Sequence, residues 1–193
     1  ALRAGIPAER IVFSGVGKTV PELAAALDAG IYGFNVESEG ELRALAELGA
    51  AVGKPAPIAL RVNPNIEAAT PHAYTRTGHA ASKFGIPIDA ARRLYAFAGE
   101  APGLEVRGVD LHLGSQILDV EPYRRALEQA LGLVDDLRAE GHSLEYLDLG
   151  GGLGISYTGD EGISAAAFAD AVVPALAGTG LRLVVEPGRF IVG

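Results

Sequence analysis

Apolar and polar positions alternate in blocks along this chain, and the blocks read as strands and helices in turn. Ile11 to Ser14 is a short apolar run of strand type. Thr19 and Glu22 follow as a T-x-x-E capping box with Pro21 in the first turn, predicting a helix to Ala29 that Gly30 stops. Tyr32 to Val36 predicts the second strand. Ser38 and Glu41 repeat the capping box and open a helix to about Leu48, with Gly49 after it. Ile58 to Val62 is the third strand, ended by Asn63-Pro64.

A polar connection from Asn65 to Gly85, rich in Thr, His and Gly, has the length of a functional loop. Beyond it the spacing predicts a helix over Asp89 to Ala98 and a strand over Val106 to Leu111. Pro122 opens a helix to Glu140 closed by Gly141, and Tyr146 to Leu149 forms a strand. Ser164 caps a helix through Leu176, and Leu181 to Val185 is the last strand. These are six βα-type units without the final helix. The near-continuous apolar runs are those of strands covered on both faces. The pattern excludes a sandwich or a bundle. It leaves an open doubly wound sheet or a (β/α)8 barrel, and six strands in 193 residues fit a barrel lacking two. The expected fold is therefore α/β, a partial TIM-type barrel in a single domain over residues 1–193.

Composition narrows the function. The chain is 49% hydrophobic, so it is no disordered segment, and it carries 16 Lys and Arg against 24 Asp and Glu, a net charge of −8. Without a basic patch, nucleic acid is an unsuitable partner. No apolar run approaches the roughly 20 residues that span a bilayer, and the start resembles neither a signal nor a transit peptide. The expectation is a cytoplasmic protein with no membrane partner. Cys and Met are absent, which removes disulfides and thiolate metal sites. Both ends read as cut from something longer.

Three motifs stand at the ends of successive strands: His112-Leu113-Gly114-Ser115-Gln116, Asp148-Leu149-Gly150-Gly151-Gly152 and Glu186-Pro187-Gly188-Arg189. Strand ends on one face of a parallel sheet are where α/β proteins place chemistry. A flat imidazole, a glycine turn able to approach an anion, and a carboxylate beside an arginine suggest a phosphorylated aromatic cofactor. Each motif also has a plainer reading. The glycine run, which fails G-x-G-x-x-G in every frame, fits a tight turn. A lone strand-end His is usually structural. Glu186 needs a partner where it leaves a buried strand, and Arg189 or a pyridinium nitrogen would serve. Zinc is poorly supported, because His72, His79 and His142 lack ligand spacing. Ser14-Gly15-Val16-Gly17-Lys18-Thr19 is no P-loop, since Val12 stands where Walker A needs its first Gly. Arg61, on an apolar strand, either pairs with a core carboxylate or lines the site. Lys83 reads as a solvated loop lysine.

Together the motifs are specific. The chain resembles the diaminopimelate decarboxylases, fold-type III pyridoxal-phosphate enzymes of the alanine racemase-like barrel class, over essentially its whole length. Ile11-Val12-Phe13-Ser14-Gly15-Val16-Gly17-Lys18-Thr19, Phe34-Asn35-Val36-Glu37-Ser38, Leu60-Arg61-Val62-Asn63-Pro64 and Lys83-Phe84-Gly85-Ile86 carry the resemblance with the three motifs above. It implies pyridoxal 5'-phosphate as cofactor and loss of CO2 from meso-diaminopimelate to give L-lysine. It implies that His112 stacks on the ring and that Glu186 keeps the ring nitrogen protonated, these two being the catalytic residues. Ser115, Gly150, Gly151, Gly152 and the Pro187-Gly188-Arg189 backbone would hold the phosphate, with Arg61 near the cofactor. The Arg189 side chain would bind a substrate carboxylate in bidentate fashion. Lys83 would serve a subunit contact in a homodimer.

The departures matter equally. The family's cofactor-bonding lysine lies in a Phe-Ala-Val-Lys-Ala-Asn-like strand, which these residues do not contain; Lys18 and Lys54 stand in other contexts. The C-terminal β-domain of the family, with its Cys-Glu-Ser-Gly-Asp-like motif, is also absent from them. The loop Thr70-Pro71-His72-Ala73-Tyr74 departs from the usual Thr-His-Pro-Tyr order. The expected outcome is an internal fragment, poorly stable alone, with open strand edges prone to associate. Two rival readings stand beside the first. One is a related decarboxylase of arginine, ornithine or a polyamine precursor; the other is a catalytically inert barrel fragment.

Overall fold

The computed structural model describes residues 1–64, 66, 84–157 and 162–193. Two 3₁₀ turns, Leu2–Ala4 and Ala8–Arg10, lead into an alternation of strands and helices. In order these are β1 (Val12–Phe13), α1 (Val20–Ala29), β2 (Gly33–Val36), α2 (Glu39–Val52), β3 (Ala56–Asn63), β4 (Ile86–Pro87), α3 (Ile88–Glu100), β5 (Leu104–Leu111), α4 (Glu121–Ala139), β6 (Tyr146–Asp148), α5 (Ala165–Leu176), β7 (Arg182–Val184) and α6 (Gly188–Val192). All strand pairs are parallel. The main path is β1-β2-β3-β5-β6-β7, and β4 is a spur that pairs with the end of β3. This is the expected α/β half-barrel of six strands. The spur β4 and the short helix α6 add to the sequence reading.

Helix ends follow local chemistry. The Thr19 N–H and hydroxyl both donate to Glu22 Oε2, at 2.8 and 2.6 Å, fixing the first turn of α1. Ser38 Oγ accepts the Glu41 N–H at 3.2 Å and caps α2. The Glu41 side chain does not complete that capping box: it accepts the Glu37 N–H at 3.1 Å and binds Lys18. Nor does α2 stop near Leu48. It runs to Val52 and ends on Gly53, with φ of 66°. Gly49 lies buried inside it because a Cβ there would stand 2.1 Å from the Gly103 carbonyl. Its role is close packing against the loop before β5, not termination.

The convex face of the sheet carries the apolar core. Phe34, Val36, Ile58, Leu60, Val62, Val109, Leu111 and Leu147 are buried there with the inner faces of the helices. In α4, Tyr123, Ala126, Leu127, Ala130, Val134 and Leu137 form one buried stripe at three- and four-residue spacing.

A bulge separates β3 from β5. The register runs Ile58↔Val106 and then Ala59↔Gly108, so Arg107 is the extra residue. Bulges of this kind sharpen the local twist. The buried Tyr95 hydroxyl serves the interrupted ladder, accepting the Leu60 N–H at 3.2 Å and donating to the Gly108 carbonyl at 2.8 Å. Tyr95→Phe leaves both groups buried without that partner. The expected loss is about 1–3 kcal/mol of stability, read from the urea midpoint, with secondary structure retained in circular dichroism.

Candidate functional site at the strand ends

The concave face of the sheet is polar, and its order follows from the two-residue strand period. Asn35 of β2, Arg61 of β3, Asp110 of β5 and Asp148 of β6 all point inward and are all buried. Arg61 is in register with Asp110, and Asp110 with Asp148. One step further along lie Glu37, His112 and Glu186, just past the ends of β2, β5 and β7. Lower down, Tyr146 packs against Gly108 and Gly33, where a Cβ would stand 2.7 Å from the Tyr146 carbonyl and 2.8 Å from its hydroxyl respectively. The Tyr146 and Tyr32 rings pack with their centres 5.2 Å apart.

Charge is tightly managed on this face. Arg61 Nη1 donates to Glu37 Oε1 at 2.6 Å, both side chains buried. Arg61 also lies 5.9 Å from the centre of the Phe84 ring. Asn35 Nδ2 donates to Asp148 Oδ2 at 2.9 Å and, more distantly, to Glu186 Oε1 at 3.4 Å. Asp148 Oδ1 accepts the Gly150 N–H at 2.8 Å. Burial pushes the Asp148 carboxyl up to about 6, with repulsion from Glu186 adding to it and the Asn35 and Gly150 bonds opposing it. Burial, then the charges on Asp148 and Glu186, hold Asp110 well above the usual carboxylate range, and its two oxygens find no hydrogen-bond donor among the described residues. His112 moves the other way. Burial and the nearby Arg61 charge lower its pKa to about 4, so the ring is neutral at physiological pH.

The three predicted motifs meet. His112 Nδ1 is 4.0 Å from Glu186 Oε2, and it accepts the Gly151 N–H at 3.4 Å. The Glu186 N–H donates to the Gly150 carbonyl at 2.8 Å. Ile117 N–H donates to Gly152 O at 2.8 Å, and the Tyr123 hydroxyl to Gly151 O at 3.0 Å. The glycine turn is thus stitched into its neighbours, with the N–H groups of Gly150 and Gly151 already engaged and that of Gly152 uncommitted among the described residues. Cβ atoms at Gly150, Gly151 and Gly152 would stand 2.4, 2.2 and 2.3 Å from the carbonyl oxygens of Leu111, Glu186 and Gly114. Arg189 extends away from Glu186 to the hydroxyls of Ser115, at 3.1 Å, and Tyr157. Its bonds therefore favour an outer anion site over the pairing with Glu186. The Gly188 N–H turns back to Glu186 O at 2.8 Å. Pro187 begins the turn into α6. Lys83 and the loop around Thr70 lie outside the described residues.

The chain matches the family described as pyridoxal-dependent decarboxylase, pyridoxal binding domain, over residues 1–193. It belongs to that family. Diaminopimelate decarboxylase of Pseudomonas aeruginosa is 48% identical over 191 residues, 99% of this chain and 46% of the relative. That of Aquifex aeolicus is 45% identical over 194 residues, again 46% of its length. The fold of Helicobacter pylori diaminopimelate decarboxylase, solved with L-lysine, superposes with a TM-score of 0.94 at 40% identity, covering 98% of this chain and 48% of that one. An arginine decarboxylase of Paramecium bursaria Chlorella virus, bound to agmatine, gives 0.79 at 27% identity, covering 98% of this chain and 48% of that one. This pyridoxal-binding domain thus spans about half the length of the relatives it matches.

Sequence reasoning overlooked Asn35, Glu37, Asp110 and Asp148 as members of the site, and Lys18 with Glu41 as its support. A signal was present: polar residues at alternate positions, Asn35 and Glu37, Arg61 and Asn63, Asp110 and His112, within otherwise apolar runs. Lys18, read from the sequence against a P-loop and against the cofactor-bonding lysine, has a buried side chain that bonds Glu41 Oε1 at 2.7 Å and the Asn35 carbonyl at 2.8 Å.

Asp148 sets a pH test. Its folded pKa of about 6 lies above its ordinary 3.8, so the folded state binds the proton more tightly and loses stability as pH rises through that window. Asp148→Asn removes this cost. Relative to its parent, the variant gains stability between pH 4 and 6, by up to about 3 kcal/mol beyond any pH-independent offset, in urea unfolding. His112 has the opposite sign, gaining stability as pH rises from about 4 to its ordinary 6.5, but it is common to both proteins and cancels.

Proposed function

We infer that the polypeptide carrying this chain is a pyridoxal-phosphate-dependent decarboxylase that converts meso-diaminopimelate to L-lysine and CO2. The observation that carries this reading is the meeting of His112 and Glu186 at 4.0 Å on the polar strand-end face. The identities of 40–48% to diaminopimelate decarboxylases support the substrate. The 27% identity to the viral arginine decarboxylase keeps arginine as the second reading.

The residues present suit the cofactor chemically. Glu186 offers a carboxylate acceptor for a ring N–H, and beside it His112 is a neutral, half-buried flat ring on which an aromatic cofactor packs. The Ser115 hydroxyl and the Arg189 guanidinium converge at 3.1 Å, a donor pair for an anion. In this reading the Ser115 hydroxyl holds the phosphate with the turn Gly150, Gly151 and Gly152, through its open Gly152 N–H, and with the backbone at Pro187, Gly188 and Arg189, while the guanidinium is left for a carboxylate. When bound, pyridoxal phosphate supplies the electron sink for the electrons left as the carboxyl group departs.

The chain's own residues then have separable tasks. Glu186 retains the proton on the ring nitrogen. His112, being neutral, packs on the ring without repelling that proton. Arg61, paired with Glu37, holds one of the carboxylates on a face crowded with them. Arg189, exposed and reaching outward, meets the substrate carboxylate. A homodimer and a cytoplasmic setting complete the reading. No helix among the described residues is long and apolar enough to cross a membrane.

Purified complete polypeptide with pyridoxal phosphate should release CO2 from meso-diaminopimelate faster than from arginine or ornithine. Glu186→Ala should lose roughly 10²–10³ in kcat, with the fold retained by circular dichroism. Near-normal turnover in that variant, or preference for arginine, would discard the assignment.

A further inference from the structure

Glu186 needs a reason to stay correctly turned. Its Oε2 edge faces His112, whose Nδ1 already accepts an N–H and whose ring is neutral, so that neighbour brings no proton to the carboxylate. Among the described residues, the side-chain donor that reaches Glu186 is the Asn35 carboxamide. Asn35 is wholly buried, and its two N–H hydrogens serve two acceptors, Asp148 Oδ2 at 2.9 Å and Glu186 Oε1 at 3.4 Å. The amide cannot be turned over, because its oxygen would then face two carboxylates. Its backbone is held too: Lys18 Nζ binds the Asn35 carbonyl at 2.8 Å while pairing with Glu41, which in turn accepts the Glu37 N–H.

We propose that Asn35 is a positioning residue for the cofactor's ring nitrogen: its carboxamide pins Glu186 by Oε1, leaving Oε2, on the His112 side, to take the ring N–H. This rests on the functional reading above and assigns a residue that acts through Glu186. Without the amide Glu186 can turn away, and the ring nitrogen loses the carboxylate acceptor that stabilises its proton. An aspartate at the same place removes the donor at high pH and restores one when protonated. The groups that face it and set its titration are Asp148 and Glu186 directly, Asp110, Arg61 and Glu37 across the concave face, and Lys18 behind.

The test uses the complete polypeptide loaded with pyridoxal phosphate labelled with ¹⁵N at the ring. In Asn35→Ala, the ring-nitrogen signal moves toward its unprotonated position at neutral pH. The value of kcat falls roughly ten- to hundredfold, the weight of one hydrogen bond to a charged group, while KM stays within about twofold. In Asn35→Asp, which is isosteric and reports within one folded protein, kcat relative to Asn35→Ala rises as pH falls from about 8 to about 6. Wild-type ring protonation and kcat in Asn35→Ala, or the same pH profile in both variants, overturns the role of Asn35 alone. Failure of the unsubstituted protein to bind pyridoxal phosphate or release CO2 overturns the functional reading and this inference with it.

Discussion

Asn35 and Asp148 belong to strands that are not neighbours in the sheet, yet their side chains are hydrogen-bonded at 2.9 Å. That bond is possible only because β3 and β5, which lie between them, curve away. The β3–β5 bulge sharpens the twist within that stretch. Once the sheet is curled, every inward side chain at the strand ends faces every other, and their charges cannot be separated. The geometry of the site and its electrostatics are thus one constraint.

The balance on that face is negative. Glu37, Asp110, Asp148 and Glu186 converge there, against the single guanidinium of Arg61 and the neutral amide of Asn35. Burying like charges is costly, and the protein meets the cost in three ways. It pairs one carboxylate with arginine, feeds two others N–H donors from Asn35 and Gly150, and keeps the fourth, Asp110, a strong holder of its proton. A cofactor whose ring nitrogen carries a proton would bring the missing positive charge to this face.

Much of this was legible in the sequence. Alternating apolar blocks and capping residues placed the helices and six strands, because periodicity and caps are local. The three motifs lay at strand ends, and topology brought strand ends together. What escaped was non-local. Gly49 looked like a helix stop, and only the approach of Gly103 from the loop before β5 explains its place inside α2. The apolar runs were read as apolar on both faces, while the alternate polar residues within them belonged to the concave side. Arg189 stood three residues from Glu186 in the chain, yet it reaches across to Ser115, whose distance in sequence is 74 residues.

The glycine turn carries a consequence of its own. Its side-chain positions point into the carbonyls of Leu111, Glu186 and Gly114, so any larger residue collides with protein backbone before it meets a ligand. The turn acts as a keystone that lets three strand-end loops close on one another. A run of this kind is therefore a signature of the architecture, demanded whether or not chemistry takes place. In the function proposed above, the side chains at His112, Ser115, Glu186 and Arg189 carry the chemistry, while the glycines carry the shape.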